Sequence, residues 1–488
     1  MHVTVSLLSG QCACCAVSRE SSVNELRRLA QLQLSIRIES LVSSTGLCLK
    51  GNAKLGDVDL ADGDLVNAIV SEPGHCIQCH SHGTAFAGIR ADGTVVTWGH
   101  PQEGGDCSTV AAELVGVQRI HATLAAFAAI TRGGRVVTWG SVRHGGDSSK
   151  VRSELLNVQK IEATLRAFAG IKVDGSVVTW GDPVSGGDST AVREKLIDIQ
   201  GIQSTSRAFA ALRSDGTVVA WGWPNSGGST NSVGHLLYDV QELRSSFGAF
   251  AALRGDGRVI TWGSPDYGGD MGDSQAQLRG VAKIHASHAA FAAIKQDGTV
   301  VTWGGTDHGG NSCPMQDQLV QVEKIFCTVR AFAALRTDGS VVTWGYPTDG
   351  GDSSYVQDQL QKVRDIQGNL AAFAAIREDG RVVTWGYPDY GGDSEAVQAQ
   401  LTGVRQITAT SRAFAALRED GLVVTWGHDA EGGDSSSVQD RLFGVFDIRA
   451  SCGAFVAVKA DGTAVTWGHP LWGGDSSTVR DELVNLAI

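Results

Sequence analysis

Ala371-Ala372-Phe373-Ala374-Ala375-Ile376-Arg377-Glu378-Asp379-Gly380-Arg381-Val382-Val383-Thr384-Trp385-Gly386 reads as two strands around a tight turn. Ala371 to Arg377 is an apolar run of strand length. Asp379-Gly380 lies between two such runs, and a Gly there takes φ > 0 without steric cost, which marks a hairpin. The β-branched run Val382 to Trp385 suits a pleat, with Val383 and Trp385 on one face. Upstream, Ile366 to Gly368 reads as one more short strand. Downstream, Gly386 opens the loop Tyr387-Pro388-Asp389-Tyr390, which Gly391-Gly392 closes. Asp393 and Ser394 can cap a helix by accepting its free N–H groups. Val397, Leu401 and Val404 then fall at i, i+4 and i+7, one helical face. The stretch predicts three short strands and a short helix.

The same pattern recurs. Its Trp stands at Trp98, Trp139, Trp180, Trp221, Trp262, Trp303, Trp344, Trp385, Trp426 and Trp467, every step being 41 residues. A Phe keeps the same step, from Phe86 and Phe127 to Phe414 and Phe455. Ten units, numbered here by their Trp, therefore follow one another from about residue 73 to 488. Residues that recur in every unit at strand positions are what stacked repeats need for a shared core, so the Phe and Trp columns are expected inside. Asp92, Asp174, Asp215 and their later equivalents are expected in turns, where unit 2 carries Gly133 instead.

The 488 residues are 42% hydrophobic and 19% charged, a globular balance. A net charge of −12 argues against non-specific nucleic-acid binding, which needs a basic face. No apolar run is long enough to span a membrane. The opening residues lack a basic segment of secretory type, so the ten cysteines are expected as thiols in a cytoplasmic, alternatively nuclear, protein. There is no Walker loop, no His-Glu-x-x-His and no Gly-x-Ser-x-Gly, so neither an enzyme nor a bound cofactor is expected.

The segment Ala-Phe-Ala-Ala-Ile-Arg-x-Asp-Gly-x-Val-Val-Thr-Trp-Gly resembles the repeat of the regulator of chromosome condensation family. The resemblance extends over units 1 to 10 and is most specific at Asp-Gly-x-Val-Val-Thr-Trp-Gly. It implies a propeller of repeated blades. The unit here is shorter than that family's and closer to the three-stranded blades of the propeller-type β-lactamase inhibitor proteins of the same superfamily. Neither group has the Gly-Gly-Asp-Ser-Ser segment. Ten units also exceed the roughly four to eight blades usual in propellers. The chain enters at the first strand, near Ile77, and leaves at the last helix, so no blade shared between the two ends locks a ring. The expected fold is mainly β and propeller-like, with an open β-rich solenoid as the alternative.

Residues 1–72 do not repeat. Val3, Val5 and Leu7 alternate as in a strand, Ser9-Gly10 turns, and Gln11 to Val17 returns. Ser21-Ser22 can cap a helix bearing Val23, Leu26, Leu29 and Ala30, after which short apolar strands end with Leu65 to Val70. This order resembles a ubiquitin-like β-grasp domain, carried by the opening Val-Thr-Val-Ser-Leu-Leu-Ser-Gly and the late Leu-x-x-x-x-Leu-x-x-Gly-Asp-Leu. The resemblance implies an exposed apolar patch for partners at Leu8, Val42 and Ile69.

Two motifs invite metal chemistry. Cys76-Ile-Gln-Cys79-His80 matches a haem-attachment string, and with His75 and His82 it also reads as a zinc cluster. Counting by the repeat puts Cys79 41 residues before Ile120, in an apolar strand column, so no metal site is expected. The recurring Gly-Gly-Asp is explained by helix capping.

Units differ most in the four-residue loop between Trp-Gly and Gly-Gly. These loops hold Trp223, Tyr267, Tyr346, Tyr387, Tyr390 and Trp472. Aromatics on loops are typical of recognition surfaces, and an unbroken period places them on one rim. The competing reading folds them back onto their own Gly-rich turns. The expected function is a non-enzymatic scaffold, in which the ubiquitin-like module recruits protein partners of the ubiquitin pathway and the repeat platform holds a client protein. Alternatives are the substrate-binding part of a ubiquitin ligase system and a guanine-nucleotide exchange factor for a small GTPase, the latter implied by the founding member of the repeat family.

Overall fold

The computed structural model describes the chain except residues 7–11, 35–37, 44–48, 50–53, 59, 61, 71–76, 81–82, 485 and 487–488. Near the N-terminus, β1 (His2–Ser6), β2 (Cys12–Ala16), β3 (Ile38–Val42) and β4 (Leu65–Val70) form one sheet in the order β2-β1-β4-β3. β1 pairs antiparallel with β2 and parallel with β4, while β3 is antiparallel to β4. The alternation of Val3 and Val5 puts both into a core with Leu26 and Ala30 of helix α1 (Val23–Leu34), Leu41 and Val66. Ser22 caps α1 as its sequence predicts, its Oγ accepting the Glu25 N–H at 3.2 Å.

The rest of the described chain is ten three-stranded antiparallel sheets, one per unit. In unit 8 the inner strand is Val363–Gly368, the middle Ala372–Arg377 and the outer Val382–Gly386. The Asp-Gly turn forms as read: Gly380 has φ +74°, and Asp379 Oδ1 accepts the Arg381 N–H at 3.1 Å. The predicted α-helix is instead a 3-10 segment, Glu395–Gln400. Asp393 Oδ1 accepts the Glu395 N–H at 2.9 Å, but Ser394 makes no cap bond; its Oγ donates to Gln398 Oε1 at 2.9 Å instead. Val404 is not on its face; it opens the next unit's inner strand. A second 3-10 turn, Pro388–Tyr390, fills the variable loop.

Alternation within the strands gives each sheet two apolar faces. One face of unit 8, with Ile366, Phe373, Ala375, Val383 and Trp385, packs on Ala331, Ala333, Leu335 and Val341 of unit 7. The opposite face, with Ala372, Ala374, Ile376 and Val382, receives unit 9. Successive inner strands touch one another, so they line the axis, and the outer strands meet the 3-10 segments of the preceding unit.

Each junction is fastened in the same way. Phe373 stacks on Trp385 with ring centroids 5.1 Å apart, and Trp385 Nε1 donates to the carbonyl of Gly350 in unit 7 at 3.1 Å. Gly350 sits at φ +96° beneath the Phe373 ring, leaving no room for a side chain. This explains the first Gly of every Gly-Gly pair. Between unit 10 and unit 1 the fastening is repeated: Trp98 Nε1 donates to Gly473 O at 3.1 Å, and Phe86, Val96 and Trp98 share a core with Ala454, Val456 and Leu486. The array is therefore a closed ring and not an open solenoid. It closes by using the ordinary junction once more and, against the sequence expectation, by sharing unit 1 between the two ends: Leu486 pairs with Arg90 of the first sheet as Val404 pairs with Arg418, and its N–H donates to Gly462 O at 3.0 Å.

Unit 1 corrects one register. Ile77 pairs with Gly88 as Ile120 pairs with Ala129, so this connection is two residues longer than its equivalents. Cys79 thus occupies the column of Cys327, not that of Ile120. Its Sγ donates to Ala450 O at 2.7 Å across the seam, as Cys327 Sγ does to Ala286 O at 3.2 Å between units 7 and 6. Burial pushes the Cys79 thiol up to about 12. It is a packing residue of the ring, and Cys76 lies outside the described residues.

Candidate functional site: the loop face of the ring

The connection between inner and middle strands and the loop after Trp-Gly lie at the same end of every sheet. A short polar residue ties them together: Thr328 Oγ1 donates to Asp349 O at 3.0 Å, Asn369 Nδ2 to Tyr390 O at 2.6 Å, and Ser451 Oγ to Trp472 O at 2.9 Å. Neighbouring connections also bond by their backbones, Leu370 N to Ser411 O at 3.3 Å and Ser411 N to Cys452 O at 2.8 Å; Cys452 N to Gly83 O, at 3.4 Å, carries the series across the seam. The variable loops therefore do share one rim. They are held through their own main-chain carbonyls, which leaves their side chains free to change, and this is how a face can vary while its scaffold does not.

Side chains on this face follow a pairing rule within each unit. One position precedes the middle strand: Arg207, Gly248, Arg330, Ala371, Arg412 and Gly453 in units 4, 5, 7, 8, 9 and 10. The other ends the first 3-10 turn: Ser226, Tyr267, Asp349, Tyr390, Glu431 and Trp472. A large residue at one is matched by a small or oppositely charged residue at the other. A Cβ on Gly248 would stand 2.9 Å from the Tyr267 ring, and Gly453 is closer still to Trp472. Arg330 lies 4.0 Å from Asp349, and Arg412 3.5 Å from Glu431.

The six loop aromatics accordingly divide. Tyr267, Tyr390 and Trp472 are half-buried. Tyr267 packs on Phe247 and His288, and Trp472 stacks on His469 at 4.0 Å, so these two fold onto the ring as the competing reading had it. Trp223, Tyr346 and Tyr387 are exposed, at 39%, 36% and 42%. Arginines of the same unit cover two of them: Arg207 is 5.2 Å from the Trp223 ring centre and Arg330 3.5 Å from that of Tyr346.

Units 7 to 9 bring the remaining features together. Tyr387 and Tyr390 meet edge to face, centroids 5.3 Å apart at 87°, and Arg412 of unit 9 lies 4.6 Å over Tyr390. Between them opens a cavity of about 370 Å³, walled by Val329, Asp349, Leu370, Ala371, Tyr387, Asp389, Tyr390 and Arg412. The arginines were not singled out by sequence reasoning. Their signal was available, as one column in which Arg alternates with Gly and Ala.

The structure does not bring the N-terminal patch into view. Leu8 lies outside the described residues. Val42 and Ile69 stand on β3 and β4, where Val42 pairs with Asn67 and Ile69 with Ser40, and Val42 is half-buried. Among the described residues there is no group of three or more His, Cys, Asp or Glu side chains able to hold a metal, and no helix is long and apolar enough to cross a membrane.

No family model matches the chain, and no curated protein matches it. Solved structures do. The computationally designed Ika8 protein is 14% identical over 64% of this chain and 96% of its own, with a TM-score of 0.31. The CRINKLY WD40 ectodomain of the Arabidopsis thaliana receptor kinase ACR4 is 17% identical over 54% of this chain and 93% of its own, with a TM-score of 0.31. Yeast RCC1 (Prp20), solved with Kap60, is 15% identical over 62% of this chain and 80% of its own, with a TM-score of 0.34. These scores are low, and the mainly β ring of ten repeated sheets rests on the chain's own pairing, junctions and closure.

Proposed function

We propose that this chain is a non-enzymatic protein-interaction scaffold whose loop face holds a client protein. The observation that carries the reading is the cluster on units 7 to 9, where exposed Tyr387 lines an open cavity and exposed Tyr346 stands on the same rim, which main-chain bonds brace. Exposed aromatics beside arginines on a rigid frame have the composition of binding hot spots. In this reading residues 1–72 are a separate ubiquitin-like domain, and 73–488 are the repeat platform. The sheet order β2-β1-β4-β3, with its two central strands parallel and one helix on a small core, supports a β-grasp assignment. Recruitment of ubiquitin-pathway partners through Leu8, Val42 and Ile69 follows from that assignment.

The test is capture from cell extract by the full chain and by Tyr346→Ser/Tyr387→Ser/Tyr390→Ser. The triple variant should stay folded and lose client capture by at least about 2 kcal/mol, as truncation of clustered aromatic anchors does. Unchanged capture would remove the loop face from the reading. Proteasome or ligase subunits among the captured proteins support the ubiquitin link. A nucleotide-free GTPase in their place would favour the exchange-factor alternative.

A further inference from the structure

We propose that the cavity of unit 8 receives a guanidinium side chain of the client, an inference that rests on the loop-face reading. The ring supplies its own comparison. In units 4 and 7 the residue two after the core Trp is aromatic, Trp223 and Tyr346, and an arginine preceding the middle strand lies over it, Arg207 and Arg330. In unit 8 the aromatic is present, as Tyr387, but the arginine position is Ala371. The cavity of about 370 Å³ opens beside Ala371 and Tyr387, the positions at which units 4 and 7 place their guanidinium.

The walls suit the same occupant. Tyr387 is 42% exposed, and Tyr390 meets it edge to face instead of covering it by stacking. Arg412, the cation already in the wall, lies over the Tyr390 ring and is 3.5 Å from Glu431, so its charge has an acid partner outside the cavity. Two carboxylates line the cavity. Asp349 is the acid that faces Arg330 within unit 7, at 4.0 Å, and Asp389 stands in the unit 8 loop itself. A cation over an aromatic face with carboxylates near its edge is a favourable site, and guanidinium uses such planar faces more often than ammonium does.

The chain has only six tyrosines, so ring-¹³C-tyrosine labelling of the full chain gives a spectrum that Tyr→Phe variants assign. The probes are N-acetyl-arginine methylamide and its neutral isostere N-acetyl-citrulline methylamide. Arginine should move the Tyr387 ring signals, and citrulline should bind at least tenfold more weakly. Asp349→Asn/Asp389→Asn should weaken the arginine response by at least tenfold. Ala371→Arg, which restores the arginine of units 4 and 7, should abolish it while the tyrosine signals away from the cavity, those of Tyr238, Tyr267 and Tyr355, stay in place. Equal responses to arginine and citrulline, or an unchanged response in Ala371→Arg, would overturn the proposal. So would client capture that Asp349→Asn/Asp389→Asn leaves intact and the triple tyrosine variant loses, an outcome that keeps the loop-face reading and discards the cation.

Discussion

Closure of the ring is open to a direct energetic test at Gly473. An alanine there would adopt φ +98° and set its Cβ against the Phe86 ring of unit 1. Gly227→Ala does the same inside the array: φ +90°, with the Cβ 2.5 Å from Phe250. Two costs follow at each site. The left-handed backbone costs an L-residue about 1–2 kcal/mol. Forcing a methyl group into a packed junction costs about 1–3 kcal/mol more. Gly403→Ala separates them, since it has φ +58° but nothing within 4 Å of the added Cβ. Its column tolerates Asn157, Asp198 and Lys362 at similar φ in other units. Urea unfolding of the full chain, compared at a common m-value, reads the differences. Gly473→Ala and Gly227→Ala should be destabilised alike, each by about 1–3 kcal/mol beyond Gly403→Ala. If Gly473→Ala matches Gly403→Ala while Gly227→Ala exceeds both, unit 10 does not seat on unit 1, and the ring is open in solution.

Other expectations are as concrete. Trp262→Ala removes a stacked partner of Phe250 and the donor to Gly227 O, so it should cost about 3–5 kcal/mol, with loss of amide-exchange protection spreading into units 4 and 6. Residues 1–72 expressed alone should give a dispersed amide spectrum, because their core is built from residues of that segment; a collapsed spectrum would remove the independent domain. Burial raises Glu162 from its ordinary 4.5 to about 7. Between those values the unfolded chain releases the proton and the folded chain keeps it, so this group's contribution falls as pH rises. Glu162→Gln should therefore match the parent at pH 4 and exceed it by about 1–2 kcal/mol at pH 8 in thermal or urea unfolding, allowance being made for its partial exposure.

Much of this architecture was legible in the sequence. The period, the Phe and Trp core, the Asp-Gly turns and the shared rim follow from residues that repeat without slippage. The errors have local causes. Val397, Leu401 and Val404 fit a helical spacing only because a 3-10 segment ends at Gln400 and Val404 opens the next inner strand. Cys79 was misplaced because two extra residues in the unit 1 connection precede the Phe86 marker and leave the Phe and Trp spacing untouched. Closure is a contact between the first and last units, which no window of sequence contains. One signal was nonetheless there. Phe86 and Trp98 need a preceding Gly-Gly to pack on, and Gly473-Gly474 is the pair left over at the other end. The loop site was half legible: its aromatics stood out, but which of them fold inward depends on the residue preceding the middle strand, a coupling visible only once the two loops are known to touch.

The seam also sets an order of events during synthesis. Every other junction forms between segments that leave the ribosome consecutively, whereas Trp98 has to wait for Gly473. Until then the face of unit 1 that carries Phe86 and Trp98 lacks its unit 10 partner, which is made only after all the other units. An unfinished product, or one clipped shortly before Gly473, would display that aromatic face beside the lesion in space, yet nine units away from it in sequence. Chaperones and proteases could therefore recognise an incomplete C-terminal unit by what it leaves uncovered in the first.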